Sequence, residues 1–475
     1  MCRAGGPFAE DYDRPVISDL RSLAAHVSDG ASDRATHGED LTYHPPRAPD
    51  AVVYPESAEE VSRVLAYANE RGIPVVPFGA GTSLEGHVIP VAGGISLDLG
   101  RLTRLEVHAA DLAATAQAGV TRGALNRRAG EHGLFFPVDP GADATLGGMA
   151  ATNASGTTTI RYGGMRAHVL ALEVVLADGT VIRPGSRAFK TSAGYNLAGL
   201  FVGSEGTLGV ITELVLRLHG IPEYTVAARA TFPDLDAAVR AAVAMVGSGV
   251  AITRVELLDA LTLRALNRYK ESSYPEAPSL FLEFAGTETG VAGEVEAARE
   301  LCLAEDAGSF DAEREEEARN RLWEARHHAA FALAAAAPPG SKFKATDVCV
   351  PVSELPGAVR HARGLVEERG IEASIIGHVG DGNYHVGFSV DPAEPEAIAA
   401  AEDVNHELVA YALARGGTCT GEHGIGLGKI AYLEAEHGDL IPLMRGIKQL
   451  LDPSGILNPG KILPSRAAAR SARGS

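Results

Sequence analysis

Cysteine is scarce and badly spaced for cross-linking. The four cysteines, Cys2, Cys302, Cys349 and Cys419, include no CxxC pair. That argues against a disulfide frame or a zinc knuckle and suits reduced thiols. Positive charge is also short. Lys and Arg number 42 against 61 Asp and Glu, a net charge of −19. Nucleic acid is not expected as a partner, because binding it needs a basic face that displaces counterions. Apolar runs long enough to span a bilayer are missing. Residues Met1–Pro7 lack the apolar stretch of a secretory signal. The expected location is cytoplasmic, with peripheral attachment to a membrane as the variant. A complete GxGxxG is missing too. In Gly79-Ala80-Gly81-Thr82-Ser83-Leu84 a leucine stands where the third glycine belongs, and strand-like Gly94–Leu99 follows where a Rossmann unit needs a helix. This disfavours a nicotinamide dehydrogenase.

Glycine is plentiful, 54 of 475 residues, and it is clustered. Clusters of this kind mark backbone that comes close to a ligand. Hydrophobic content of 45% and charged content of 22% describe a soluble globular chain. By length it holds roughly three domain-sized units. Ser57-Ala58-Glu59-Glu60 reads as a helix N-cap with a capping box, and Val61, Val64, Leu65 and Ala68 keep one apolar face until Gly72. The loop Gly79–Gly86 can be a phosphate nest or a plain turn. Asp139–Gly156 has too few large apolar residues to build a core and suits backbone lying on a flat ligand. A third run, Gly203-Ser204-Glu205-Gly206-Thr207-Leu208-Gly209, leads straight into a strand. From Pro222 onward, strands alternate with helices, one of them read over Ala312–Ala335. This predicts an α+β layer with an antiparallel sheet and helices on one side.

The chemistry concentrates in Gly377–Lys429. His378 and His385 stand seven residues apart with glycines between them, and Glu422-His423 follow in a glycine-flanked loop. A strand, a kink and a second strand would turn both imidazoles to one point. Two imidazoles and a carboxylate suit a divalent cation with open positions for a substrate. Hydrogen-bonded core histidines are the ordinary alternative.

Six runs occur in a fixed order: the glycine loop at 79–86, Pro140–Gly156, GSEGTLG at 203–209, GHVGDGNYH, GEHGIG and NPGKIL. In this order they resemble the flavoproteins of the vanillyl-alcohol-oxidase type, and among those the FAD-dependent D-2-hydroxyacid dehydrogenases. The resemblance covers about residues 40–464. It implies an α+β fold made of a two-part FAD-binding domain and a cap. The expected boundaries are an arm at 1–44, the FAD-binding domain at 45–220, the cap at 221–420, a C-terminal segment at 421–464 that returns to the flavin, and a disordered tail at 465–475.

For the cofactor, the resemblance implies Pro77, Gly79, Gly81, Thr82, Ser83 and Gly86 at the diphosphate. Pro140, Asp143, Thr145, Gly148, Asn153 and Ser155 would lie along FAD, with Glu205, Gly206 and Ile211 beside it and Asn458 returning to the flavin. It implies His378, His385 and Glu422 on a divalent metal, zinc or manganese, with His423 as base and Arg326 and Lys344 at the substrate. The implied reaction oxidises D-lactate or a similar D-2-hydroxyacid to the 2-oxoacid, with the hydride passing to flavin N5. Electrons would leave to a quinone, a cytochrome or another flavoprotein; a homodimer is the assembly considered. The alternatives are a glycolate oxidase FAD subunit and a D-2-hydroxyglutarate dehydrogenase. Against the last, Gly387 stands where those enzymes carry asparagine, and Ala345 where they carry lysine.

Overall fold

The structure, a computed structural model, describes residues 15–42, 44–391 and 393–464. The expected tail and the start of the arm lie outside the described residues. The chain divides into two compact units. One holds the residues up to 154, 164–221 and those from 422 onward; the other holds 155–163 and 222–421.

The first described elements of the first unit lie within the expected arm at 1–44. Helix Ile17–Leu23 and strand His26–Ser28 come first, and the strand pairs antiparallel with Ala51–Tyr54. The latter lies parallel to Ile95–Asp98, which in turn lies parallel to Val75–Phe78. Helix Ala58–Arg71 joins two of these strands. Its Ser57 side chain accepts from Glu60 N, Gly72 ends it at φ 63°, and Val61, Val64, Leu65 and Ala68 are buried. Parallel strands need such a crossover. The C-terminal segment closes the edge of this sheet: Val75 N donates to Ile456 O at 2.8 Å and Asn458 N to Val75 O at 2.8 Å. A second, antiparallel sheet runs in the order Leu105–His108, Ala113–Gln117, Val210–Arg217, Val169–Val175, Val181–Ile182. Part of the supposed ligand-facing run is helical, Leu146–Thr152.

The second unit is one antiparallel sheet with helices. Its main order is Ser309–Glu313, Tyr224–Thr231, Ser279–Gly286, Ile252–Leu258, Ala373–Gly377, Asn383–Val390, Lys342–Ala345. The helices cover both faces, not one. Phe281 packs with Leu258, Leu263, Leu322 and Trp323 on one side. Leu280 and Leu282 point the other way and are also fully buried. Helices Leu235–Ser248 and Glu288–Ala304 lie against these strands. The stretch expected as one helix over 312–335 is the end of strand Ser309–Glu313 and two helices, Glu316–His327 and Ala329–Ala336.

Candidate active site

In the second unit, strand register assembles the histidines. Leu257 pairs with Gly377 and Leu258 with Ile376, so Glu256 comes opposite His378 one step past the end of that ladder. Ile376 pairs with His385 on the next strand. The turn between the two histidines is tight. A side-chain carbon on Gly377 would fall 2.6 Å from Asn383 O, and Gly382 takes φ 86°. His378 and His385 present ring nitrogens within 4.8 Å of each other.

Each imidazole is gripped through Nδ1. His378 Nδ1 is 2.8 Å from Glu256 Oε1, and His385 Nδ1 is 2.9 Å from Thr346 O. An Nδ1–H donated to such a partner makes Nε2 the nitrogen that carries the lone pair, the tautomer a metal ligand needs. This donor set fits the implied metal. Asp347, fully buried, stands nearby with Oδ1 3.8 Å from His385 Nδ1, and it accepts from Asn383 Nδ2 and Thr420 Oγ1, both at 2.8 Å.

Arg326 lies in the last turn of helix Glu316–His327 and is bound to the same glutamate. Glu256 Oε2 accepts from Arg326 Nε at 2.8 Å and lies 2.7 Å from Nη2. Burial pushes the Glu256 carboxyl up. The His378 and Arg326 charges, with the hydrogen bonds they make, outweigh that and hold it below its ordinary value. Lys344 is not brought to this group. It lies opposite Phe388, on the face of the sheet away from His385, and pairs with Glu402.

In the first unit, Glu422 and His423 open the run that ends in Gly426. Glu85 holds this loop from one side. Its backbone oxygen accepts from Leu427 N at 2.6 Å, and its Oε1 lies 3.3 Å from Lys429 Nζ and 3.6 Å from His423 Nδ1. Burial raises the Glu85 carboxyl; the Lys429 charge and the His423 interaction outweigh it, so the pKa is lowered. Glu205 holds the loop from the other side. Its oxygens accept from Ile425 N at 2.7 Å and Gly426 N at 2.9 Å, with His87 Nε2 at 3.3 Å. Both Glu205 carboxylate oxygens thus have partners within the protein. Asn458 Nδ2 likewise donates to His87 O and Glu205 O.

Other side chains assigned to the cofactor also have protein partners. Asp143 accepts from Gly123 N, Thr145 from Gly148 N, Asn153 from Arg166 N, and Ser83 donates to Asp40. Ile211 is packed in a core with Leu146 and Leu214. Ser155 belongs to the second unit, apart from the rest. The backbone fits FAD better than the side chains do. Among the described residues, no backbone amide from Gly79 to Gly86 donates to a protein acceptor. Gly81 and Gly86 take φ 67° and 74°, and Gly206, at φ 70°, sits against the Pro77 ring. A run of amides in this state is of the kind that can cradle a diphosphate. Ser204 Oγ is buried without a partner beside it in sequence. Pro140 and Thr82 are half-buried.

Sequence reasoning missed Glu256, Glu85, His87 and Asp347. Glu256 had a signal: it is the one acid in the strand Ile252–Leu258. The other three lie in loops or just beyond a short strand, where no periodicity marks a buried charge.

Residues 49–185 match the model of an FAD binding domain, and 221–462 that of the C-terminal domain of FAD linked oxidases. The chain is 46% identical over 455 residues to the probable mitochondrial D-lactate dehydrogenase of Danio rerio, covering 94% of this chain and 91% of that one. It is 41% identical to the mitochondrial D-lactate dehydrogenase [cytochrome] of Arabidopsis thaliana, covering 95% and 80%. Among solved structures, 4-ethylphenol oxidase from Gulosibacter chungangensis superposes with a TM-score of 0.78 at 20% identity, covering 95% of this chain and 97% of that one. The fold is that of the vanillyl-alcohol-oxidase type, and the chain belongs to the FAD-linked oxidases, a family of FAD-binding oxidoreductases.

Proposed function

We propose that this protein oxidises D-lactate, or a D-2-hydroxyacid of similar size, to the 2-oxoacid. The carrying observation is the pair His378 and His385, each held by Nδ1, with Arg326 bound to the glutamate that holds the first. FAD, when bound, supplies the acceptor for the C2 hydride. A divalent metal, zinc or manganese, when bound, supplies a Lewis acid that lowers the pKa of the substrate hydroxyl.

The glycine-loop amides and Gly206 would hold FAD; His378 and His385 through Nε2, with Glu422, would hold the metal. His423 takes the hydroxyl proton, with Glu85 beside its Nδ1. Arg326 grips the substrate carboxylate with the guanidinium edge that Glu256 does not occupy, which fixes the face of C2 presented. Gly387 supports a short substrate. It points to the same face as His385, and a side-chain carbon there would fall 2.6 Å from both Phe343 Cζ and Ser374 Oγ. An asparagine has no room, and the Phe343 ring offers no partner to a second carboxylate. The cytochrome in the Arabidopsis relative's name supports a cytochrome as acceptor, and the absence of a GxGxxG unit disfavours nicotinamide.

Steady-state kinetics with a dye acceptor on D-lactate, glycolate and D-2-hydroxyglutarate, alongside metal analysis of the purified protein and His378→Ala, tests this reading. The expected order places D-lactate first, with one metal per chain lost in the variant. Preference for the dicarboxylate, or full activity without a divalent metal, would overturn it.

A further inference from the structure

We propose that Glu256 is a positioning residue that ties the metal-binding and carboxylate-binding groups into one rigid unit. This rests on the function proposed above. A carboxylate at 0% exposure is costly to bury and persists only when both oxygens are satisfied. Glu256 divides its oxygens between two partners. Oε1 takes His378 Nδ1 at 2.8 Å, and Oε2 takes Arg326 Nε and Nη2 at 2.8 and 2.7 Å. The strand register puts Glu256 opposite His378, and the end of helix Glu316–His327 delivers Arg326.

Three consequences follow from this division. The His378 ring can neither rotate nor change tautomer without breaking a charge-assisted hydrogen bond. The Arg326 guanidinium is fixed along its Nε–Nη2 edge, so Nη1 faces a defined direction. The two groups are also energetically coupled: removing the glutamate loosens a metal ligand and a substrate anchor together. A glutamate that merely filled the core with a neutralised ion pair would affect folding stability and neither of these.

The test uses the FAD-loaded protein. Zinc affinity is measured by chelator competition without substrate, and kcat and KM for D-lactate with a dye acceptor. For Glu256→Ala the expected loss of zinc affinity is ~10–100-fold, the range for removing a histidine's outer partner, together with a rise in KM of about tenfold or more, the loss expected for a charged anchor. The double variant Glu256→Gln/Arg326→Met removes the ion pair but keeps an amide oxygen for His378 Nδ1. Its zinc affinity is expected within about threefold of the parent, an amide carbonyl being an adequate outer partner, while KM stays raised. It also keeps the idea testable if Glu256→Ala fails to fold. Zinc affinity and KM both unchanged in a folded Glu256→Ala overturn the role of Glu256 alone. So does a double variant that binds zinc as weakly as His378→Ala. A parent protein that binds no zinc and does not oxidise D-lactate overturns the proposed function, and this inference with it.

Discussion

Lys461 shows how burial sets the chemistry of a single residue. Its Nζ donates to Ile89 O at 2.6 Å and lies 3.3 Å from Asn458 Oδ1. Burial pulls its pKa down to about 7, against the opposing pull of the Glu205 and Asp40 charges. In the unfolded chain the same amine titrates near ~10.4. Between about pH 7 and 10 the unfolded state therefore binds more protons, and stability rises with pH across that window. Below about pH 7 the cost of the buried charge is fully present. Unfolding of the parent and Lys461→Met at pH 6.5 and pH 9 checks this. The parent should gain on the variant at the higher pH, and a pH-independent difference would count against it. The lysine in NPGKIL was visible as a motif. Its proton equilibrium was not, because that depends on carbonyls and charges supplied from residues 40, 89 and 205.

At the scale of elements, two glycine-rich runs 220 residues apart form a clamp. Glu205 of GSEGTLG binds the amides of Ile425 and Gly426 in GEHGIG. Gly424 is constrained by that contact, since a side-chain carbon there would fall 2.7 Å from Glu205 Oε1. Both motifs are legible in the sequence, but the bond between them is not. Local pattern gives no direction for a side chain at a tight turn, here at φ 52°. Glu205→Ala removes one partner of a buried charged network and should cost about 3–5 kcal/mol. Hydrogen exchange at Ile425 and Gly426 should quicken far more than in strand Ile95–Asp98. Unchanged protection at those two amides would show that another contact holds the loop. The His378–His385 hairpin was read more successfully, because strand alternation and glycine at the kink are local rules.

For the whole molecule, chain order and spatial grouping part company. The sequence boundaries at 220/221 and 420/421 each stand one residue from the junctions at 221/222 and 421/422. No local pattern marks residues 155–163 as part of the second unit. That segment is attached by specific contacts. Ile160 packs against Gly380, and Arg161 Nη1 donates to Ala285 O at 2.8 Å, Thr253 Oγ1 at 3.1 Å and Ala251 O at 3.3 Å. Arg161→Ala leaves these acceptors short of a donor and should cost about 1–3 kcal/mol. Chemical denaturation of the full chain reads this, and a loss below the error of the measurement would make the attachment incidental.

The sequence by itself determined the class of this protein. Ordered glycine runs, two histidines on a hairpin and a capped crossover helix rest on backbone geometry that neighbouring residues impose. Only the tertiary structure decided how the charges pair. Glu256 on His378 and Arg326, Glu85 on Lys429, and Glu205 on the loop at 425–426 join residues 70 to 344 positions apart. A buried carboxylate is stabilised by whatever donors the fold delivers to it, and no local pattern records which those will be.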